Sequence, residues 1–253
     1  MENKIALVTG ATSGIGKATA IALAKEGYHI IGCGRRKERL ETLRQELPGR
    51  VNYTYLVFDV RDKQAVDQAI DSLPAEWKNI DVLINNAGNA HGLDPIQEGD
   101  REDWDAMLDI NVKGLLYVSR KVIPGMVARK RGQIINVGSI AAKEVYPKGN
   151  VYCASKQAVD ALTAGMRIDL NPFGIKVMGI HPGAVETEFS NVRFKGDDQR
   201  ADAVYQGFQP LVAEDIADII AFAVTRPAHV VMADVVILPV AQANATTIHR
   251  TGQ

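Results

Sequence analysis

The chain has 253 residues, 46% hydrophobic and 23% charged, the balance of a soluble globular protein. A formal net charge of −1 gives no electrostatic case for a nucleic-acid partner or an anionic membrane surface. Two cysteines, Cys33 and Cys153, are too few for a disulfide framework, and no apolar run approaches the ~20 residues that span a bilayer. The N-terminal "MENKIALVTG" enters an apolar run without a basic leader segment. A reducing cytoplasm is the expected compartment.

Strand-like and helix-like segments alternate along the chain. Apolar strands are expected at 4–10, 28–34, 51–60, 80–88, 132–139, 174–183 and 234–239. Helical patterns fall at 15–26, 36–47, 63–72 with Asp62 as a cap, 102–129, 151–170, and near 199–207 and 213–224. Strands apolar on both faces and separated by helices predict a parallel sheet covered on both sides. With right-handed crossovers this is a single-domain Rossmann fold over 1–253: a doubly wound α/β sheet of about seven strands. The polar segment 184–210 stands apart and is expected to be an irregular binding loop over the site.

"VTGATSGIG" places Gly10, Gly14 and Gly16, with Thr12, Ser13 and Ile15, between the first strand and the first helix. Such a turn brings backbone amides and a helix N-terminus to a pyrophosphate. The second strand ends in "GCGRRKER", without the acid that accepts from a ribose 2′-OH. Arg35 and Arg36 instead suit a 2′-phosphate, so the expected cofactor is NADP(H) rather than NAD(H). Arg35 reads as the firmer contact and Arg36 as the more solvent-facing residue.

"YCASK" sets Tyr152 four residues before Lys156, on one face of a helix. A phenol titrates near ~10 in water, so acid/base work at neutral pH requires its pKa to be lowered. A fixed ammonium close by, with a positively charged nicotinamide, would do so. His181 precedes a Pro-Gly turn and reads as packed or solvated; five scattered histidines without ligand spacing give no metal expectation.

The glycine turn, "DV" (59–60), "NNAG" (85–88), Asn111, Ser139, the Tyr152/Lys156 pair and "HPG" (181–183) together resemble the short-chain dehydrogenase/reductase family. The segments "LPAEWKNID", "TEFSNVRFKGDD" and "RPAHVVMADVVILPVAQ" extend this to its NADP-dependent 3-hydroxy acid dehydrogenase group, which acts on serine, allo-threonine or malonic semialdehyde. The resemblance implies Tyr152 as acid/base and Lys156 as the group that lowers its pKa and holds the nicotinamide ribose. Ser139 would orient the substrate oxygen, and Asn111 would hold a water in a relay to Lys156. Asp59 and Val60 would meet adenine; Asn86, Ala87 and Gly88 the adenosine ribose; Pro182, Gly183, Val185 and Thr187 the nicotinamide. A homotetramer is implied, with helices 102–129 and 150–171 across one interface and the last strand and tail across another. The tail 243–253 is left open between a subunit contact and disorder.

A small 3-hydroxy acid substrate needs a carboxylate partner; Arg193 is the first choice and Lys195 the second, against a bland pairing of either with Asp197 or Asp198. Two other readings compete: a reductase of 3-oxoacyl thioesters or uncharged carbonyls, and a non-catalytic NADP(H)-binding regulator.

Overall fold

In the computed structural model, residues 4–251 are described; the ends 1–3 and 252–253, including the first residues of the expected leader-free terminus and the last two of the tail, lie outside. Seven strands form one parallel sheet in the order β3-β2-β1-β4-β5-β6-β7. They are β1 (Ile5–Thr9), β2 (His29–Gly34), β3 (Tyr53–Val57), β4 (Ile80–Asn85), β5 (Gly132–Val137), β6 (Ile175–Pro182) and β7 (Asp234–Ile237). The helices are α1 (Gly14–Lys25), α2 (Lys37–Glu46), α3 (Lys63–Asp71), α4 (Arg101–Leu108), α5 (Leu115–Arg129), α6 (Asn150–Leu170), α7 (Phe189–Arg193), α8 (Asp198–Ala203) and α9 (Ala213–Val224).

The period-2 alternation of a strand sorts side chains to two cores. Ala6 and Val8 of β1 pack with α1, α2 and α9 through Leu23, Leu40, Ile216 and Ile220. Ile5 and Leu7 face the other way, against α3, α5 and α6 through Val66, Val118, Met126 and Leu170. This is the doubly wound, single-domain α/β architecture expected from the sequence. The strand order reverses between β1 and β4, and ligands of such sheets sit in the crevice at the carboxyl ends of the strands there. No helix among the described residues is long and apolar enough to cross a membrane.

Three local features refine the sequence reading. The helical stretch 102–129 is present as expected, and within it α4 passes through a π-helical turn, Asp109–Gly114, before α5 begins. A π turn has 3.6-like side-chain periodicity on either side, so hydrophobic spacing does not reveal it. The segment 184–210 is not irregular throughout, because it carries α7 and α8, the latter capped by Asp197 accepting from the Arg200 amide at 3.1 Å. The tail residues up to Thr251 fold back on that same segment: Arg250 lies over the Phe208 ring at 5.1 Å and donates to the Val204 carbonyl at 3.0 Å. Asp62 caps α3 as expected, accepting from the Ala65 amide at 3.0 Å.

Candidate active site

The residues expected to contact cofactor or substrate, except Gly16, Asn111 and Lys195, line one cleft of about 590 Å³ at the carboxyl ends of the strands. That volume lies within the range of small-molecule and cofactor sites. Its floor is the turn after β1. Gly10 has φ +68°, a left-handed conformation that other residues rarely adopt, and a Cβ there would meet the Asn86 amide nitrogen at 2.7 Å. A Cβ on Gly16 would lie 2.3 Å from the Gly10 carbonyl oxygen, so the turn closes tightly only with glycine at both places. Asn86 stitches the switch point shut: its side chain donates to the Thr9 carbonyl at 2.9 Å, and its amide donates to Thr9 Oγ1 at 3.0 Å. The N-terminus of α1 has no side-chain cap and no acid in its first turn, so its amide donors are suited to a phosphate.

At the end of β2 both arginines line the cleft, and Arg36, expected to be the more solvent-facing, is the less exposed of the two. Arg36 is built into the turn, donating from Nε and Nη2 to Thr12 Oγ1 at 3.2 and 2.8 Å and from Nη2 to Ser13 Oγ at 2.7 Å. Arg35 is the more exposed and reaches Asp59 at 3.7 Å. Sequence position alone could not show that the chain turns at Gly34 so as to aim the second guanidinium, rather than the first, back at Thr12. Asp59 itself is held by Arg61 at 2.7 Å; burial opposes its ionisation, and the hydrogen bonds from Arg61 outweigh that and keep its carboxyl below the usual range.

The opposite end of the cleft holds the hydroxyl residues. Ser139 ends the strand-to-turn passage after β5, where its Oγ accepts from the Ala141 amide at 3.1 Å. Tyr152 and Lys156 stand one turn apart on α6, both buried. Lys156 Nζ donates to the Val137 carbonyl at 3.0 Å and sits 6.0 Å from the Tyr152 ring centroid. Burial lowers its pKa to about 8. Tyr152 differs from expectation: burial and the neighbouring Tyr146 push its phenol up, and the groups that pull it down are the Ser139 hydroxyl and the Arg193 guanidinium. Asn111 sits in the π turn, its Oδ1 accepting from the Asn89 amide at 2.9 Å and its Nδ2 donating to Ser155 Oγ at 3.0 Å. Asn111 Oδ1 and Lys156 Nζ converge on Gly88, where a Cβ would meet them at 2.9 and 3.4 Å.

Arg193 reaches this centre from α7. Its guanidinium lies 5.6 Å from the Tyr146 ring centroid and 5.7 Å from that of Tyr152, and its Nε donates to the Gly92 carbonyl at 3.1 Å. Lys195 points elsewhere and pairs with Asp103 at 3.0 Å, away from the bland alternative of a partner among Asp197 and Asp198. Sequence reading missed Tyr146, Phe189 and Glu188. Phe189 packs on Tyr152 at 5.8 Å between centroids, and Glu188 pairs with Arg36 at 2.8 Å. No motif marks these positions; only the loop's path over the cleft does.

His181 is buried, with Nε2 2.6 Å from Asp234 and 3.5 Å from Asp160. These three residues place ligand-type atoms within 4.8 Å of one another. The Lys143 ammonium bridges the two carboxylates at 2.8 and 2.9 Å, which makes the cluster a salt-bridge network beneath the Pro182 turn.

A glycine turn at the switch point, a serine after β5 and a Tyr–Lys pair on α6, all opening on one cleft, define a dinucleotide-dependent oxidoreductase. The short chain dehydrogenase family matches residues 4–198, and the chain belongs to it. It is 46% identical over 249 residues to the NADP-dependent 3-hydroxy acid dehydrogenase YdfG of Salmonella typhi, covering 98% of this chain and 100% of that one. An NADP-dependent 3-hydroxy acid dehydrogenase of Schizosaccharomyces pombe is 42% identical over 253 residues, covering 99% and 98%. Among solved structures, the closed form of serine dehydrogenase complexed with NADP+ superposes with a TM-score of 0.91 at 45% identity, over 97% of this chain and 99% of that one.

Proposed function

We propose that the protein is an NADP(H)-dependent dehydrogenase of small 3-hydroxy acids, of the serine, allo-threonine or 3-hydroxypropionate type. The observation that carries the substrate class is Arg193, a guanidinium held 5.7 Å from the Tyr152 ring centroid inside the cleft. A fixed cation beside the reacting hydroxyls suits a carboxylate, for which a planar guanidinium offers paired donors. A reductase of uncharged carbonyls or of thioesters has no use for it. The names of the relatives support the same class.

The residues present fit the cofactor. The uncapped N-terminus of α1 suits the pyrophosphate, Arg35 and Arg36 the 2′-phosphate, and Asp59 and Val60 the adenine. Lys156 and Asn86 to Gly88 suit the two riboses, and Pro182 to Thr187 the nicotinamide. When bound, the nicotinamide supplies or accepts the hydride. Ser139 holds the substrate oxygen. Tyr152 gives or takes the proton on that oxygen, and Lys156 and Asn111 pass it on from the phenol. Arg193 anchors the carboxylate and so fixes which carbon faces the cofactor.

Arg193→Ala tests the substrate class. Its kcat/KM for a 3-hydroxy acid should fall roughly 10- to 100-fold, the worth of a charge-assisted hydrogen bond, with little change for an uncharged alcohol. An equal fall for both substrates would remove Arg193 from carboxylate binding.

A further inference from the structure

The five residues of α7 connect the two ends of the cleft. At its C-terminal end Arg193 faces Tyr152 at 5.7 Å, and Phe189 packs on the same ring at 5.8 Å. At its N-terminal end Glu188 pairs with Arg36 Nη1 at 2.8 Å and with Arg39 Nη1 at 2.6 Å. Arg39 lies one turn beyond Arg36, on α2. The preceding residue, Thr187, packs over the glycine turn, where a Cβ on Gly14 would meet it at 3.3 Å.

The donors of Arg36 are almost fully assigned. Nε and Nη2 serve Thr12 and Ser13, which leaves Nη1 as the edge for an outside anion, and Glu188 holds that edge. A guanidinium has five N–H donors in a rigid fork; four serve Thr12, Ser13 and Glu188, so a second anion is left the one remaining Nη1 N–H, on the nitrogen that Glu188 already holds. A dianionic 2′-phosphate that engages Arg36 therefore meets a carboxylate on the same group.

We infer that Glu188 is a specificity-determining residue for the cofactor, its carboxylate competing with the 2′-phosphate for Arg36. Glu188 lowers the affinity for the phosphorylated cofactor and leaves the unphosphorylated one unaffected. Arg39 retains the displaced carboxylate, so the exchange needs a side-chain rotation at Arg36 rather than an opening of the whole loop. The inference rests on the NADP(H) reading of the Arg35–Arg36 end.

The test uses fragments that isolate the phosphate. Calorimetric titration of the full-length protein with 2′,5′-ADP and with 5′-AMP compares the wild type with Glu188→Gln. Glu188 is a half-exposed surface residue, so the variant should fold. The amide should bind 2′,5′-ADP about two- to fivefold more tightly, the scale of an exposed charge pair, with 5′-AMP unchanged. Unchanged or weaker binding of 2′,5′-ADP by Glu188→Gln, in a protein whose wild type still prefers 2′,5′-ADP over 5′-AMP, overturns the role of Glu188. A wild type that binds both fragments equally overturns the 2′-phosphate site and the inference with it.

Discussion

Burial pushes the Tyr152 phenol away from ionisation, while Ser139 and Arg193 pull the other way. The protonated phenol is the form needed to reduce a carbonyl, and its conjugate base is the form needed to oxidise an alcohol. Dehydrogenation should therefore climb from pH 7 towards pH 9 while carbonyl reduction does not; parallel pH profiles of kcat/KM in the two directions check this. Tyr152→Phe should retain NADP+ binding and lose roughly 10³-fold in turnover, the scale of a lost general acid/base. Surviving turnover would place the proton transfer elsewhere. Lys156 carries its own signature. Burial lowers its pKa to about 8 from an ordinary 10.5, so the unfolded chain binds more protons than the folded one between those values. The penalty for burying the charge is fully present below about pH 8 and is relieved as pH rises through that window. Denaturant unfolding at pH 7 and pH 10 should show the wild type gaining stability relative to Lys156→Met; a pH-independent difference would mean that Lys156 is already solvated.

Helix α6, which carries Tyr152 and Lys156, is located by a buried polar chain. Asn85 donates to Asn136 at 2.9 Å and to Ser119 of α5 at 2.9 Å, and Asn136 donates to Thr163 of α6 at 2.9 Å. Removing the middle member strands a donor on one side and an acceptor on the other. Asn136→Leu should cost about 2–3 kcal/mol, read as a shift in denaturant midpoint at unchanged slope. The strands were legible in the sequence because both faces are buried and their apolar runs are bounded by glycine and polar turns, as in "YHIIGCG". The glycine turn and the Tyr152–Lys156 pair were legible because helix geometry and backbone sterics tie spacing to place. The π turn that carries Asn111 was not, since one extra residue per turn leaves no compositional mark. Nor was the placement of Glu188 against Arg36, nor that of Tyr146 beside Arg193. Those follow from the path of the 184–210 segment across the cleft, a tertiary fact set by contacts such as the paired Gly92–Arg193 hydrogen bonds.

Beyond the single chain, apolar side chains stand exposed where the resemblance expects subunit contacts. Ile168 on α6 is 74% exposed, and Leu108 and Leu116 flank the π turn. At the free edge of the sheet, Val236 of β7 and Val240 are also exposed. Open β edges and apolar patches of this kind are normally covered. Light scattering should give a mass four times the 27.5 kDa chain, and Ile168→Asp should reduce it; a monomeric wild type would contradict the assembly.

The proposed substrate class, the NADP(H) reading of the cofactor end and the proposed Arg193 anchor meet in one assay. NADPH formation would be followed with NADP+ and L-serine, L-allo-threonine or 3-hydroxypropionate, beside 2-propanol and the same panel with NAD+. Turnover of the hydroxy acids with NADP+, exceeding that of 2-propanol and that with NAD+, is the predicted result. Turnover of 2-propanol with the hydroxy acids inert would contradict the 3-hydroxy acid assignment.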